Sequence, residues 1–296
     1  MSREPLPLEV CRRIVEHLQP MYDNPELASL ARTSRALQPI SERQLYHSLY
    51  LLGLEIVPLL LAAFAARGRR AAYPRVLYVQ PAERAGAGYW AQLGELLLRA
   101  AAGLELLCVA AADADVGWVL RGLRAAPRAR LAVLRVPFAW DAELAGFLES
   151  PGAQGLTRVE LGDAPAAPVA LHAGAVPHLG TVEAPAAALC VLVPGRPVTH
   201  VRVRAGAGAG AALLHGLPPA RYLVGECLVR SAAAGGVVAL DVGDLTHTHR
   251  GETYSLEVLE LAPQFLPNLE FLGRVNFPWT TDMPVRASAR WRVGWC

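Results

Sequence analysis

Short apolar segments recur at a drifting interval through most of the chain, and this constrains its fold more than any other feature. Their central residues are Leu77 in Arg-Val-Leu-Tyr-Val, Leu107 in Leu-Glu-Leu-Leu-Cys-Val, Leu134 in Leu-Ala-Val-Leu-Arg-Val and Val159 in Leu-Thr-Arg-Val-Glu-Leu, followed by Val182 and Val201. Successive intervals are 30, 27, 25, 23 and 19 residues. Leu240 and Leu259 again lie 19 apart, and the gap of 39 before Leu240 leaves room for one more strand at Tyr222-Leu-Val-Gly. Alternating residues of a strand point to opposite faces, so each segment has one apolar side to bury. One such unit cannot bury that side alone, whereas stacked neighbours can.

The pattern Leu-x-x-Leu-x-Leu/Val at intervals of about 20–29 residues is the mark of leucine-rich repeats, here degenerate because the usual closing asparagine is missing. Helices are expected at Ile56–Ala66, Tyr89–Ala102, Val116–Ala125 and Glu143–Glu149, and loops in the Ala/Gly/Pro-rich connections beyond residue 163. The Arg, Glu, Thr and His residues between the inward positions are expected to line a concave face.

The first fifty residues read differently. Leu6, Val10, Ile14 and Leu18 recur every four residues and predict one apolar helix face over 6–18. Pro7 suits a first turn, Glu9 suits the positive helix end, and Pro20 stops the helix. Asn24-Pro25-Glu26 is a fresh start signal for a helix reaching about Ala31. Thr33 or Ser34 suits the cap of a short turn ended by Pro39, and Ile40–Tyr46 suits a last short helix. Forty-five residues of helix have a small core and gain from a covering partner.

This block resembles the F-box, through Leu6, Pro7, Glu9, Ile14 and Leu18 in its first part and Leu27, Leu30, Ser34 and Arg35 in its second; Tyr46 falls where that family often has an aromatic. Met21–Glu26 looks like a small insertion, Thr33 replaces the usual aliphatic residue, and Leu37 stands where Trp is common. The resemblance implies docking on a Skp-type adaptor and, through it, a cullin–RING ubiquitin ligase. It implies adaptor contacts from Leu6, Pro7, Leu8, Glu9, Val10, Ile14, Leu18, Leu27, Leu30, Ser34 and Arg35. The region behind resembles the degenerate leucine-rich-repeat arrays found behind F-boxes, especially in fungi.

Composition narrows the remaining classes. Of 296 residues, 53% are hydrophobic and 18% charged, which is a globular balance, and the net charge of +2 does not by itself point to nucleic acid. Cys11, Cys108, Cys190, Cys227 and Cys296 are odd in number, far apart and without a CxxC pair, so reduced thiols are expected. The N-terminus carries charges of both signs and no secretory pattern. The apolar run Leu51–Ala66 contains Glu55 and Pro58 and is shorter than the ~20 residues of a membrane helix; a strand followed by a buried helix is expected there.

Chemistry-bearing motifs are sparse. Gly206-Ala-Gly208-Ala-Gly210-Ala211, with Glu226 beyond, mimics a dinucleotide fingerprint, but Pro218-Pro219 cuts short the helix it needs. His247 and His249 with Asp241 and Asp244 lack a regularly spaced further ligand. Arg286, Arg290 and Arg292 beside Trp291 and Trp295 make one short basic–aromatic cluster near the end of the sequence. The expectation is therefore an α+β protein, with an F-box-like helical module over 1–50 and an irregular leucine-rich-repeat-like array over 51–296. It is expected to be a non-catalytic, cytoplasmic or nuclear substrate receptor with no cofactor, no metal, no nucleic-acid partner and no membrane partner. Its target protein is not named by the sequence. The competing expectation is a repeat scaffold whose N-terminal helices are only a cap.

Overall fold

The structure, a computed structural model, describes residues 7–20, 22–82, 84–111, 116–125, 130–162, 169–204, 239–241 and 271–273. Two compact units divide the chain, Met1–Leu131 and Ala132–Cys296.

The first unit opens with α1 (Leu8–His17), α2 (Asn24–Thr33) and α3 (Leu37–His47). Pro39 does not end a turn: it lies in the first turn of α3, where a proline costs no intrahelical bond. Strand β1 (Ser48–Leu51) follows α3 directly. Then come α4 (Ile56–Ala66), a 3₁₀ turn at Gly68–Ala72, β2 (Val76–Val79), α5 (Ala87–Ala100), β3 (Leu106–Val109) and α6 (Val116–Arg124). The three strands pair in parallel, with Leu49 opposite Leu77 and Leu77 opposite Leu107. All three leucines are buried.

The second unit continues the alternation with β4 (Val133–Val136), α7 (Ala142–Leu148), β5 (Arg158–Leu161), β6 (Thr181–Pro185), α8 (Ala186–Leu192) and β7 (His200–Arg204). Strands β8 (Ala239–Asp241) and β9 (Phe271–Gly273) extend it. Pairing is again parallel and in chain order, aligning Leu134, Val159, Val182, Val201, Leu240 and Leu272. The strand centres expected at Leu77, Leu107, Leu134, Val159, Val182, Val201 and Leu240 are observed; those at Leu259 and Tyr222 lie outside the described residues. The short helix α8 occupies a connection expected to be a loop.

One backbone device recurs between strands. The carbonyl of Arg75 accepts from the amides of Glu105 and Leu106, that of Ala132 from Thr157 and Arg158, that of Thr157 from Gly180 and Thr181, and that of Gly180 from Thr199 and His200. Each new strand is thus started on the residue just before the previous one. This satisfies the amides at each strand start and fixes the register.

The class expectation is corrected. The chain is α/β, not an α+β protein with a helical F-box-like module followed by a leucine-rich-repeat-like array. All described strand pairs are parallel, and parallel neighbours require crossover connections; α4, α5, α7 and α8 lie in those between β1 and β2, β2 and β3, β4 and β5, and β6 and β7. Helices α1–α3 are not set apart, because they belong to the same compact unit as β1–β3.

A buried carboxylate makes that continuity. Glu42 of α3, only 2% exposed, is bound by Arg67 at 2.8 Å, Arg69 at 3.3 Å and Arg70 at 2.6 Å, all around the 3₁₀ turn after α4, and accepts from Gln38 at 3.0 Å. Tyr46 adds to it, lying beneath the Arg70 guanidinium and 5.9 Å from the ring of Phe64 in α4. Burial alone would raise the Glu42 carboxyl, but the hydrogen bonds from Arg70 and Gln38 and the charges of Arg70 and Arg67 hold it below its ordinary value. Elsewhere in this unit, α5 and α6 approach so closely that a Cβ at Gly122 would overlap the Gly94 carbonyl.

In the second unit Arg196, 3% exposed, plays the tying role without a carboxylate partner. It donates to the carbonyls of His172, Ala175, Val191, Leu192 and Pro194 at 2.8–3.2 Å. It thereby caps the C-terminal end of α8 and holds the loop leading to Val176, a buried residue at φ 45. Cys190 on α8 is disulfide-bonded, so the expectation of reduced thiols does not hold for it.

Glu42→Gln is expected to lower stability at neutral pH by about 1–3 kcal/mol in chemical denaturation. That is below the ~3–5 kcal/mol of a fully buried pair, because Arg67 and Arg69 stay half in water. The folded-state pKa is depressed, so the difference from the parent chain should be complete above the ordinary value of 4.5 and vanish as pH falls through the depressed one. Gly122→Leu should cost about 1–3 kcal/mol or more by forcing α5 and α6 apart, read by the same denaturation series.

Candidate functional site

Two surfaces stand out, one in each unit. In the first unit, α1 turns its core side inward through Val15, which is 2% exposed, with Cys11 half-buried. The middle of the four-residue ladder turns away from it: Val10 is 40% and Ile14 49% exposed, while Leu8, 42% exposed, starts the helix on the Val15 side. Leu18 is half-buried just past the helix, where its carbonyl accepts from Gln44 of α3 at 2.9 Å. Neighbouring exposed aliphatic residues on one helix mark a candidate contact, whereas single exposed ones are commonplace.

The remaining residues of the expected adaptor contact are scattered in role. Pro7 and Glu9 are exposed beside the ladder, and Leu6 lies outside the described residues. Leu27 is wholly buried and serves the core, and Leu30 is half-buried with its carbonyl accepting from the Thr33 hydroxyl. Ser34 is exposed and its hydroxyl accepts from the Leu37 amide at 3.1 Å, starting α3; Arg35 is exposed nearby. The structure therefore places Leu8, Glu9, Val10 and Ile14 along α1, with Pro7 just before it, and takes Leu27 into the core.

In the second unit, the strand face opposite the aliphatic column is charged. Parallel register places Arg135, Glu160, Glu183 and Arg202 side by side on β4 to β7. Glu160, 1% exposed, is held by Arg135, with one contact at 2.9 Å, and by Arg158 at 2.6 Å. Glu183, 7% exposed, is held by Arg204 at 2.7 Å and Arg202 at 3.5 Å. Burial pushes the Glu160 carboxyl up, but Arg135 and Arg158 outweigh it and leave it below its ordinary value. The corresponding face of the first unit is neutral: the Tyr50 and Tyr78 rings meet at 6.1 Å with a tilt of 45°, and the Tyr78 hydroxyl donates to Gln80 at 2.7 Å.

The sequence reading foresaw Arg and Glu on this face but not the pairing, and it passed over Glu42 and Arg196. The signal for Glu42 was the run Arg67-Gly-Arg69-Arg70 after an uncharged helix, a basic cluster wanting an acid. The glycine run 206–211, the His247/His249 pair and the Arg/Trp cluster at 286–295 lie outside the described residues. Among the described residues no three His, Cys, Asp or Glu side chains gather as metal ligands, and no helix is long and apolar enough to cross a membrane. Within each unit the described strands keep chain order, without the reversal that forms the ligand crevice of doubly wound sheets. No known family model matches the chain, and no curated protein matches it significantly.

Proposed function

We propose that this chain is a non-catalytic substrate-recognition subunit of a Skp–cullin–F-box type E3 ubiquitin ligase. It docks a Skp-type adaptor through α1 and presents a target protein on its strand face. The observation that carries this reading is the pair Val10 and Ile14, four residues apart on one face of α1 and both left exposed. Aliphatic residues at i and i+4 on one helix fit the helix-in-groove mode of recognition. The F-box resemblance of residues 6–46 supplies the chemical class of the partner. Ubiquitin transfer belongs to other subunits, and the cytoplasm or nucleus is where that machinery works.

A second reading has its own support. Glu42 fastens α3 to the turn after α4, and α3 runs straight into β1, as a cap on the first strand would. On that reading the helices are structural and the chain is a protein-binding scaffold.

The paired substitution Val10→Asp with Ile14→Asp separates the two. Both side chains face water, so stability should change by no more than about ±0.5 kcal/mol each. Retention of a purified Skp-type adaptor on the immobilised full chain should be lost in the variant and present in the parent. If the parent retains no adaptor while a known F-box protein does so in parallel, the receptor reading fails and the scaffold reading stands.

A further inference from the structure

We infer that α4 is the contact of a two-fold symmetric dimer, in which a second copy of this chain lays its own α4 antiparallel against the first. The inference lies beyond the function proposed above and uses neither the exposed face of α1 nor the charged strand face.

The make-up of the helix is the first argument. From Ile56 to Ala66, α4 has no charged or polar side chain. A helix that is apolar all round belongs in a core, yet only one side of α4 is covered. Val57 and Phe64 are buried, and Leu60, Leu61 and Ala63 are half-buried. Pro58, Leu59, Ala62, Ala65 and Ala66 are exposed, at the three- and four-residue spacings of a single stripe, and Leu59 is 66% exposed. Helix α5 shows how a solvated helix of the same unit is built. Beyond its first turn its exposed residues are Gln92, Glu95, Leu98 and Arg99, and Glu95 pairs with Arg99 at 2.6 Å. Five apolar neighbours in one stripe mark a contact where one would not. Size is the second argument. A two-fold axis puts a surface against itself. With Ala62 on the axis of an antiparallel pair, residues equally far before and after it meet. Leu59, three residues before, falls on Ala65, three residues after, and Pro58 falls on Ala66. The bulky half of the stripe then covers the small half, and alanine at the crossing lets the helix axes approach to about 8 Å. A parallel pair would set Leu59 against Leu59 and the alanines against one another.

Charge is the third argument, and it selects the same direction. Glu55 stands exposed at the start of α4 and makes no ion pair among the described residues. At the other end Arg67, Arg69 and Arg70 share the single buried carboxylate of Glu42, which leaves an excess of positive charge there. Arg67 and Arg69 are 43% and 52% exposed. On the neighbouring α5, Glu95 and Arg99 cancel. Antiparallel pairing brings Glu55 of each copy to the arginine end of the other, twice per dimer. Parallel pairing would set arginines against arginines. An anionic membrane surface would suit the arginine end but not Glu55 at the opposite one, and three alanines give such a surface little to hold. The stripe is on the order of 16 Å long, so it covers less than the ~1,000 Å² of a stable complex. The dimer is therefore a weak, exchanging one, with a dissociation constant of about 10–100 µM.

The test is sedimentation velocity of the full chain over a roughly hundredfold range of concentration. The parent should pass from monomer to dimer. Leu59→Asp, at a water-facing position that leaves the fold intact, should weaken the dimer at least about tenfold, with circular dichroism confirming that the variant is folded. Glu55→Gln should weaken it about two- to fivefold and reduce its sensitivity to salt. The Val10→Asp/Ile14→Asp variant should dimerise like the parent. Geometry is read separately by Ala62→Cys, since a residue on the axis meets its own copy. Mild oxidation should link this variant into a disulfide-bonded dimer well above the level of the parent chain with its own cysteines, whereas Val10→Cys should stay at that level. A parent that stays monomeric throughout would overturn the inference. So would a dimer that folded Leu59→Asp leaves unchanged, or an Ala62→Cys variant that links no better than Val10→Cys. A monomeric parent that sediments with phosphatidylserine vesicles, and loses them on Leu59→Asp, would assign the stripe to a membrane surface and overturn it as well.

Discussion

The alignment of one aliphatic position per strand is the constraint from which the rest of the structure follows. In the first unit Leu49, Leu77 and Leu107 occupy equivalent places, and in the second Leu134, Val159, Val182, Val201, Leu240 and Leu272 do. Burying a leucine or valine contributes about 1.5–3 kcal/mol, and a slip of one residue would turn that side chain to water and bring its neighbour inward. Because period two is strict, fixing this column also fixes the opposite face. Arg135, Glu160, Glu183 and Arg202 lie in a row because Leu134, Val159, Val182 and Val201 do.

Both units then use the same polar solution at points the column cannot reach. A carboxylate is buried under several arginines, Glu42 in the first unit and Glu160 and Glu183 in the second. A buried ion pair is a weak source of net stability against an apolar replacement, but removing one partner is costly. Its value here is placement. Glu42 tells α3 where the turn after α4 must sit, and Glu160 and Glu183 tell four long side chains where to stand.

The strands were legible in the sequence because each repeats Leu or Val in a short alternating segment. Helices α4 to α7 were legible from the apolar runs between them. The class was not, because Pro20 and Asn24-Pro25 punctuate the first helices like a separate module, and nothing local reveals that α3 passes into β1 without a linker. Pro39 looks like a stop in sequence, although a first-turn position accepts it. The spacing of Val10 and Ile14 showed a shared face but not its direction, since a four-residue ladder looks the same facing core or water. Apart from Arg158–Glu160, the arginine–glutamate pairs join residues some twenty to thirty apart, through strand pairing for Glu160 and Glu183 and through the packing of α3 on the turn after α4 for Glu42, which no local window contains.

Arg196 differs from the other buried charges in what it leaves open to change. Its five acceptors are backbone carbonyls, present whatever side chains surround them. Residues 172, 175, 191, 192 and 194 can therefore vary in side chain without weakening the clamp, provided the chain still passes the same points. The arginine itself has no such freedom: lysine offers three donors from one point, and no other side chain spans the two sides of this loop with a rigid fork. The consequence is an asymmetric tolerance to substitution, one fixed residue inside a permissive neighbourhood, so that drift in this part of the sequence should spare a single arginine.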